Sequence, residues 1–127
     1  RADMPGGWKG DSKNAFTGKG LTAKEKDAQQ FIKTLLQWRK KSSVVHDGNL
    51  QHFAPVDGIY VYFRYLDTKT VMVVLNKNKQ EKKLALQRFK SLLEGKSNAR
   101  NVLANKKITL GESLTLPAKS SLVLELE

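Results

Sequence analysis

The spacing of apolar residues changes once along the chain, from a helical period to a period of two. Between Thr22 and Lys41 apolar residues recur at three- and four-residue steps, which predicts one amphipathic helix. Thr22 and Glu25 have the spacing of a capping box, and residues 39–41 place cations at the negative end of the helix dipole. The apolar stripe of this helix consists of Ala28, Phe31, Ile32, Leu35 and Leu36.

After Ser42 the pattern is that of short strands. Residues 59–65 are aromatic and β-branched, and residues 71–75 form a continuous apolar run that predicts a strand buried on both faces. Apolar and polar residues alternate further along, with the apolar positions at Leu84, Leu86, Ile108, Leu110, Leu114, Leu116, Leu122, Leu124 and Leu126. A short helical turn is expected over residues 88–93. Seven or eight strands at this spacing predict an antiparallel sandwich or barrel.

The first twenty residues combine glycine with large apolar side chains. Five of the nine glycines lie here, so regular secondary structure is not expected. Met4, Trp8 and Phe16 are rare in a flexible linker, and they indicate an ordered loop that packs against another surface. That surface need not belong to these 127 residues.

The chain is basic, with 23 Lys and Arg against 12 Asp and Glu. The excess is spread over both halves and consists mostly of Lys, whereas phosphate and guanine contacts favour Arg. A basic nucleic-acid-binding β-barrel is therefore the weaker alternative, and no nucleic-acid partner is expected.

The absence of cysteine excludes disulfides, zinc-thiolate sites and thiol nucleophiles. No apolar run has the length of a membrane span, so no membrane partner is expected.

Residues with catalytic potential do not form a recognisable pattern. His46 and His52 have no third ligand at a metal-binding spacing, and no nucleophile elbow or phosphate loop is present. We therefore predict no catalytic residue, no metal and no cofactor in this chain. Asp3 and Asp11 flank the glycine-rich loop and could be imagined as a carboxylate pair for glycoside chemistry. Loop capping is the favoured role, because such pairs need a rigid scaffold.

One strand carries a candidate binding face. Tyr60, Tyr62 and Arg64 alternate with apolar residues, so they are expected to share one face of the strand. An aromatic row of this kind can stack on sugar rings, which makes a carbohydrate-binding β-sandwich module an alternative function. The favoured interpretation is packing against a second sheet or a neighbouring domain.

Several segments together resemble one enzyme family. Residues 1–11 (RADMPGGWKGD), followed by Asn-Ala-Phe at 14–16, resemble the segment after the eighth barrel strand in neopullulanase- and cyclomaltodextrinase-like members of the α-amylase superfamily. Met4 replaces Phe of that pattern and Lys9 replaces Pro. Residues 35–40 (LLQWRK) resemble the last barrel helix. Residues 46–50, 53–55, 61–65 and 73–78 are similar to the C-terminal β-sandwich of that family.

The resemblance implies a mainly β fold: an antiparallel Greek-key β-sandwich preceded by a loop and one amphipathic helix left over from a (β/α)8 barrel. The expected domains are residues 1–43, the tail of the catalytic barrel, and residues 44–127, the sandwich. The family hydrolyses α-glucans with an Asp nucleophile, a Glu acid/base and a stabilising Asp, all on earlier barrel strands and none in this chain. We therefore expect the chain to be inactive alone.

The resemblance also implies partners and a site. Arg1, Asp3, Trp8 and Asp11 are expected at the rim of the active-site cleft, where they orient the loop and contact sugar. The expected partners are the catalytic barrel and, in the full enzyme, the α-glucan. The helix stripe is expected to dock on the sandwich or to pair between copies of the chain. The resemblance favours a bacterial periplasmic or extracellular location.

Overall fold

The computed structural model describes residues 3–127, which divide into two compact units between Leu36 and Gln37. The domain boundary expected after residue 43 stays a prediction. No helix of the described residues is both long enough and apolar enough to cross a membrane.

The first unit contains a loop and most of helix α1 (Ala23–Lys41). The predicted capping box is confirmed at its start. The Thr22 amide donates to Glu25 Oε2 over 2.7 Å, and the Glu25 amide donates to Thr22 Oγ1 over 3.3 Å. The apolar stripe is solvent-exposed, with 44% of Phe31, 50% of Ile32 and 56% of Leu36 accessible.

Glu25 holds a second contact that the capping box does not require. Its Oε1 accepts a hydrogen bond from Lys13 Nζ over 2.6 Å, which ties the loop to the first turn of α1. The Lys13 ammonium, together with the Thr22 amide and hydroxyl, lowers the pKa of Glu25 to about 2. The carboxylate is therefore expected to remain ionised in moderately acidic solution.

This low pKa predicts how the start of the helix responds to acid. A carboxylate whose pKa is depressed in the folded state stabilises that state fully above its ordinary pKa of 4.5, and loses this contribution as the pH falls towards about 2. The helical circular dichroism signal should therefore decline between these values, and Glu25→Gln should reduce the decline. Asp27→Asn, which changes another exposed carboxylate of α1, serves as the control. An unchanged acid transition in Glu25→Gln would contradict the assignment.

The second unit is a two-layer β-sandwich. Its strands are β1 (Asn49–Val56), β2 (Ile59–Leu66), β3 (Lys69–Asn76), β4 (Lys82–Ala85), β5 (Asn98–Asn101), β6 (Lys106–Thr109), β7 (Ser113–Leu116) and β8 (Ser121–Leu126). One sheet has the order β1-β2-β3-β8-β5-β6, and the other pairs β4 with β7. Every pairing is antiparallel. The predicted mainly β, antiparallel sandwich is confirmed.

The core lies between the two sheets. Alternation along β2 turns Ile59, Val61 and Phe63 towards it, while β4 and β7 contribute leucines from the other side. A 3-10 turn (Gln87–Phe89) and a short helix α3 (Lys90–Leu93) follow β4, in the region where a helical turn was expected. Phe89 of this turn is 1% exposed and closes the core between the layers.

The predictions for individual strands need three corrections. β3 is buried on both faces only over residues 71–74, because Leu75 is 41% exposed. Leu86 is buried, as the alternation of apolar residues indicates. It lies after the end of β4, however, and is not part of a strand. Strand β5, which begins at Asn98, was not predicted. Its short, polar sequence carries no strand signal, and pairing with β6 and β8 forms it.

A helical turn that the sequence pattern does not reveal packs on the large sheet. Helix α2 (Ser43–His46) contacts β2 and β3, and Val44 is buried there. The Arg64 guanidinium donates to the carbonyl of Val45 over 2.7 Å, which satisfies the end of the turn. Gly48 follows in a tight space, where an added Cβ would lie 2.8 Å from the Tyr65 carbonyl oxygen.

Candidate functional site

The glycine-rich loop is ordered around the carboxylate of Asp11. Asp11 Oδ2 accepts hydrogen bonds from the Gly6 amide over 2.7 Å and from the Trp8 amide over 3.2 Å. Gly6 has a φ of 96°, and a Cβ there would collide with the side chain of Asn14. The Asp11 carboxylate therefore caps the loop, which is the role favoured over glycoside chemistry.

Further contacts order this loop and fasten it to α1. Asn14 Oδ1 accepts from the amides of Phe16 and Thr17, each over 2.9 Å. The Gln29 side-chain amide donates to the Ala15 carbonyl over 2.6 Å, and Ala15 is buried. The loop is thus folded against the helix by polar contacts, while its largest apolar side chains remain in solvent.

The predicted cleft-rim residues are only partly brought together. Arg1 lies outside the described residues. Trp8 and Asp11 share one turn of the loop through the amide contact, and the Trp8 side chain is 71% exposed. Asp3 is exposed. Their contact with substrate stays a prediction.

Tyr60 and Tyr62 form an aromatic surface, the tyrosine face, on the side of β2 opposite the core. The Tyr60 and Tyr62 rings are 5.7 Å apart with a tilt of 38°, and the His52 ring meets Tyr60 edge-on at 6.4 Å. Both tyrosines are half-buried. The small sheet covers the other face of β2, so it does not account for this aromatic row.

The two histidines lie in different secondary-structure elements. His46 ends α2, and His52 lies in the edge strand β1. Among residues 3–127, no group of three or more His, Cys, Asp or Glu side chains is arranged to hold a metal ion.

One polar network was missed by the sequence analysis. Glu125 of β8 accepts a hydrogen bond from Trp38 Nε1 over 2.6 Å, and its other oxygen accepts from Arg100 Nε over 2.9 Å. Arg100 Nη2 also pairs with the same oxygen. Glu125 thereby joins the last turns of α1 to β5 and β8. Its position between Leu124 and Leu126 predicts only that it faces away from the core.

Comparison with solved structures finds this fold in larger enzymes. AmyP bound to maltotriose matches with a TM-score of 0.73 at 14% identity, over 87% of this chain and 23% of AmyP. An α-amylase from Anoxybacillus matches with a TM-score of 0.69 at 17% identity, over 85% of this chain and 24% of the enzyme. Trehalulose synthase MutB matches with a TM-score of 0.63 at 19% identity, over 78% of this chain and 18% of MutB.

The chain spans about a quarter or less of the length of these enzymes. At such identities the matches establish the fold. The family follows from the sequence match to the cyclo-malto-dextrinase C-terminal domain, which covers residues 50–125. That match takes in strands β2–β7 and nearly all of β1 and β8. The chain therefore belongs to the cyclo-malto-dextrinase C-terminal domain family.

Proposed function

We propose that this chain works as the C-terminal part of an α-glucan-hydrolysing enzyme and has no hydrolytic activity alone. The family match over residues 50–125 carries the proposal, because that family is named for the C-terminal domain of cyclo-malto-dextrinase. In this proposal the catalytic carboxylates belong to a separate catalytic domain. The sandwich supports that domain. The substrate of the catalytic domain is cyclomaltodextrin or maltodextrin, as in neopullulanase-like enzymes.

The exposed side chains of the first unit support a catalytic domain as the partner. Six large apolar residues of this unit are at least 44% accessible: Met4, Trp8, Phe16, Phe31, Ile32 and Leu36. Monomeric proteins rarely leave so many large apolar groups in solvent, and such surfaces mark contacts with other domains. In the proposal the catalytic barrel covers the helix stripe, and the loop around Trp8 and Asp11 faces the substrate cleft.

The Glu125 network supports a role in holding the two parts of the enzyme together. Trp38 stands near the C-terminal end of α1, and its hydrogen bond to Glu125 connects that end to the central region of the large sheet. Arg100 holds the carboxylate from the other side. A helix that belongs to the catalytic barrel would in this way be fixed to the sandwich through a charge-assisted contact.

The test compares the isolated chain with the complete gene product that contains it. The purified chain should release no reducing sugar from maltodextrin or β-cyclodextrin, because in this proposal the carboxylate pair that glycoside hydrolysis requires belongs to the catalytic domain. The complete product should hydrolyse at least one of these glucans. Sugar release that scales with the concentration of the isolated chain would contradict the predicted inactivity. A complete product inactive on every α-glucan would contradict the proposed function.

A second candidate function is direct sugar binding by the tyrosine face. The close approach of the Tyr60 and Tyr62 rings on the outer face of β2 favours it, since aromatic rings supply the apolar platform for a pyranose. Titration with maltoheptaose should then change the tyrosine fluorescence, and Tyr60→Ala with Tyr62→Ala should abolish the change. Tyr65→Ala, on the other face of the same strand, serves as the control. Unchanged fluorescence at saturating sugar would exclude this function.

A further inference from the structure

The small sheet has a free edge along β4. Among residues 3–127, β4 pairs only with β7, in the register Lys83 opposite Thr115 and Leu84 opposite Leu114. The Leu86 amide donates to the Glu112 carbonyl in continuation of this ladder. Hydrogen-bonded and non-hydrogen-bonded pairs alternate in an antiparallel ladder, so Leu84 is a bonded position and Lys83 is not. The amide and carbonyl groups of Lys83 and Ala85 consequently point away from β7, towards the free edge.

An apolar groove of about 470 Å³ runs beside this edge, between β4 and the edge strand β1. Phe53, Val56 and Ile59 line it on the side of the large sheet, and Leu84 lines it on the side of the small sheet. Val56 is 53% exposed there. The groove therefore places apolar side chains beside unpaired backbone donors and acceptors, which is the combination that an added strand requires.

The charge around the groove is mainly positive. Lys82, Lys83 and Arg88 line it, against one acidic side chain, Asp57. Arg88 is held in place, because its Nη1 donates to the Ala54 carbonyl over 3.1 Å and its guanidinium lies 5.5 Å from the centre of the Phe53 ring. An acidic ligand fits these charges better than a basic one.

Two other occupants fit less well. A sugar needs a free aromatic face, but the Phe53 ring already meets Phe63 and Phe89 edge-on and lies beneath Arg88. A second copy of the chain paired through β4 would bring the lysines of two β4 strands together. Like charges facing each other across strands are destabilising.

We propose that the β4 edge binds an extended peptide segment in which acidic and apolar residues alternate. The segment adds a third strand to the small sheet through the Lys83 and Ala85 backbone groups. Its apolar side chains enter the groove on the face of Leu84, and its carboxylates lie on the opposite face with Lys83. Lys82 and Arg88 add positive charge at the groove. The segment belongs to a protein partner and is recognised by backbone pairing together with charge.

The test uses the isotope-labelled full chain and peptides of about six residues, the length of a typical strand. A peptide of alternating glutamate and valine should shift the amide resonances of Lys83 and Ala85 most strongly, in a saturable manner, and higher salt should weaken the binding. A lysine–valine peptide should not bind. Equal binding of both peptides, or the largest shifts outside β4 and β1, would overturn the proposal. Shifts of the same amides by maltoheptaose, or by concentrating the chain without peptide, would also overturn it.

Proline substitutions separate the two edges of the small sheet. Lys83→Pro removes the outward amide without removing a donor from the β4–β7 ladder, and it should weaken binding of the glutamate–valine peptide at least about tenfold. Thr115→Pro is the matched control, because Thr115 is the register partner of Lys83 and its amide points to the opposite edge. If Lys83→Pro does not fold, the double variant Lys82→Glu with Lys83→Glu keeps the edge intact. That variant should prefer the lysine–valine peptide, and retained preference for the acidic peptide would overturn the proposal.

Discussion

Replacing Phe89 with alanine is expected to lower the free energy of unfolding by about 3–5 kcal/mol, the range for buried aromatic truncations. Phe89 is 1% exposed, and its ring centre lies 4.8 Å from that of Phe53 and 5.8 Å from that of Phe63. The neighbouring rings belong to β1 and β2, whose paired backbones cannot move inwards to fill the space. The variant should therefore keep most of the cavity.

The measurement is urea denaturation followed by the β-sheet circular dichroism signal. Phe16→Ala provides the matched control, because Phe16 is 75% exposed in the first unit. The same truncation at this surface position should change the free energy of unfolding of the sandwich by less than about 0.5 kcal/mol. A Phe89→Ala cost below about 1 kcal/mol, or equal costs for both variants, would show that Phe89 is not a central core residue.

The second large effect is expected at Asn76, the buried amide that joins β3 to the end of β7. Asn76 is 4% exposed; its Nδ2 donates to the Pro117 carbonyl over 2.8 Å, and its Oδ1 accepts from the Asn78 amide over 3.0 Å. Asn76→Ala leaves the Asn78 amide without this partner and removes one of the two donors to the Pro117 carbonyl, which also accepts from Ser120 Oγ. Losses of this kind cost about 1–3 kcal/mol each. We expect a total loss of about 2–4 kcal/mol. Asn49→Ala, in an exposed position of β1, should cost less than about 0.5 kcal/mol.

Asn76→Asp tests whether donation to the carbonyls is the cause. An ionised carboxylate cannot donate, and burial against carbonyl oxygens should raise its pKa above the unfolded-state value. A group with a raised folded-state pKa takes up protons on folding, so this variant should gain stability as the pH falls through that pKa. Equal destabilisation at acidic and neutral pH would contradict hydrogen-bond donation as the role of Asn76.

Short-range sequence patterns were sufficient to predict the helix and most of the strands. The Thr22–Glu25 spacing located the start of α1 because a capping box is a contact within one turn. Alternation identified the inward side chains of β2, β7 and β8 because a strand turns successive residues to opposite faces. Strand β5 was not predicted, because its polar residues have no strand pattern and form a strand only by pairing between β6 and β8.

The polar contacts depended on residues far apart in sequence. Asp11 capping within the glycine-rich loop was expected, because its partners lie within five residues. The Trp38–Glu125 contact joins positions 87 residues apart, and no spacing rule relates them. Asn76 is a polar residue at the end of an apolar run, which indicates its burial only weakly, and the carbonyl that it contacts most closely, that of Pro117, lies 41 residues further along the chain.

Residue order alone established an amphipathic helix followed by a mainly β chain, and motif resemblance indicated the enzyme family. These properties reside in short-range spacing, which folding does not alter. The free β4 edge, the apolar groove beside it, the position of the tyrosine face away from the core and the Glu125 network arise only in the folded chain. Strand order brings distant residues together there, and each strand's pattern is compatible with more than one order.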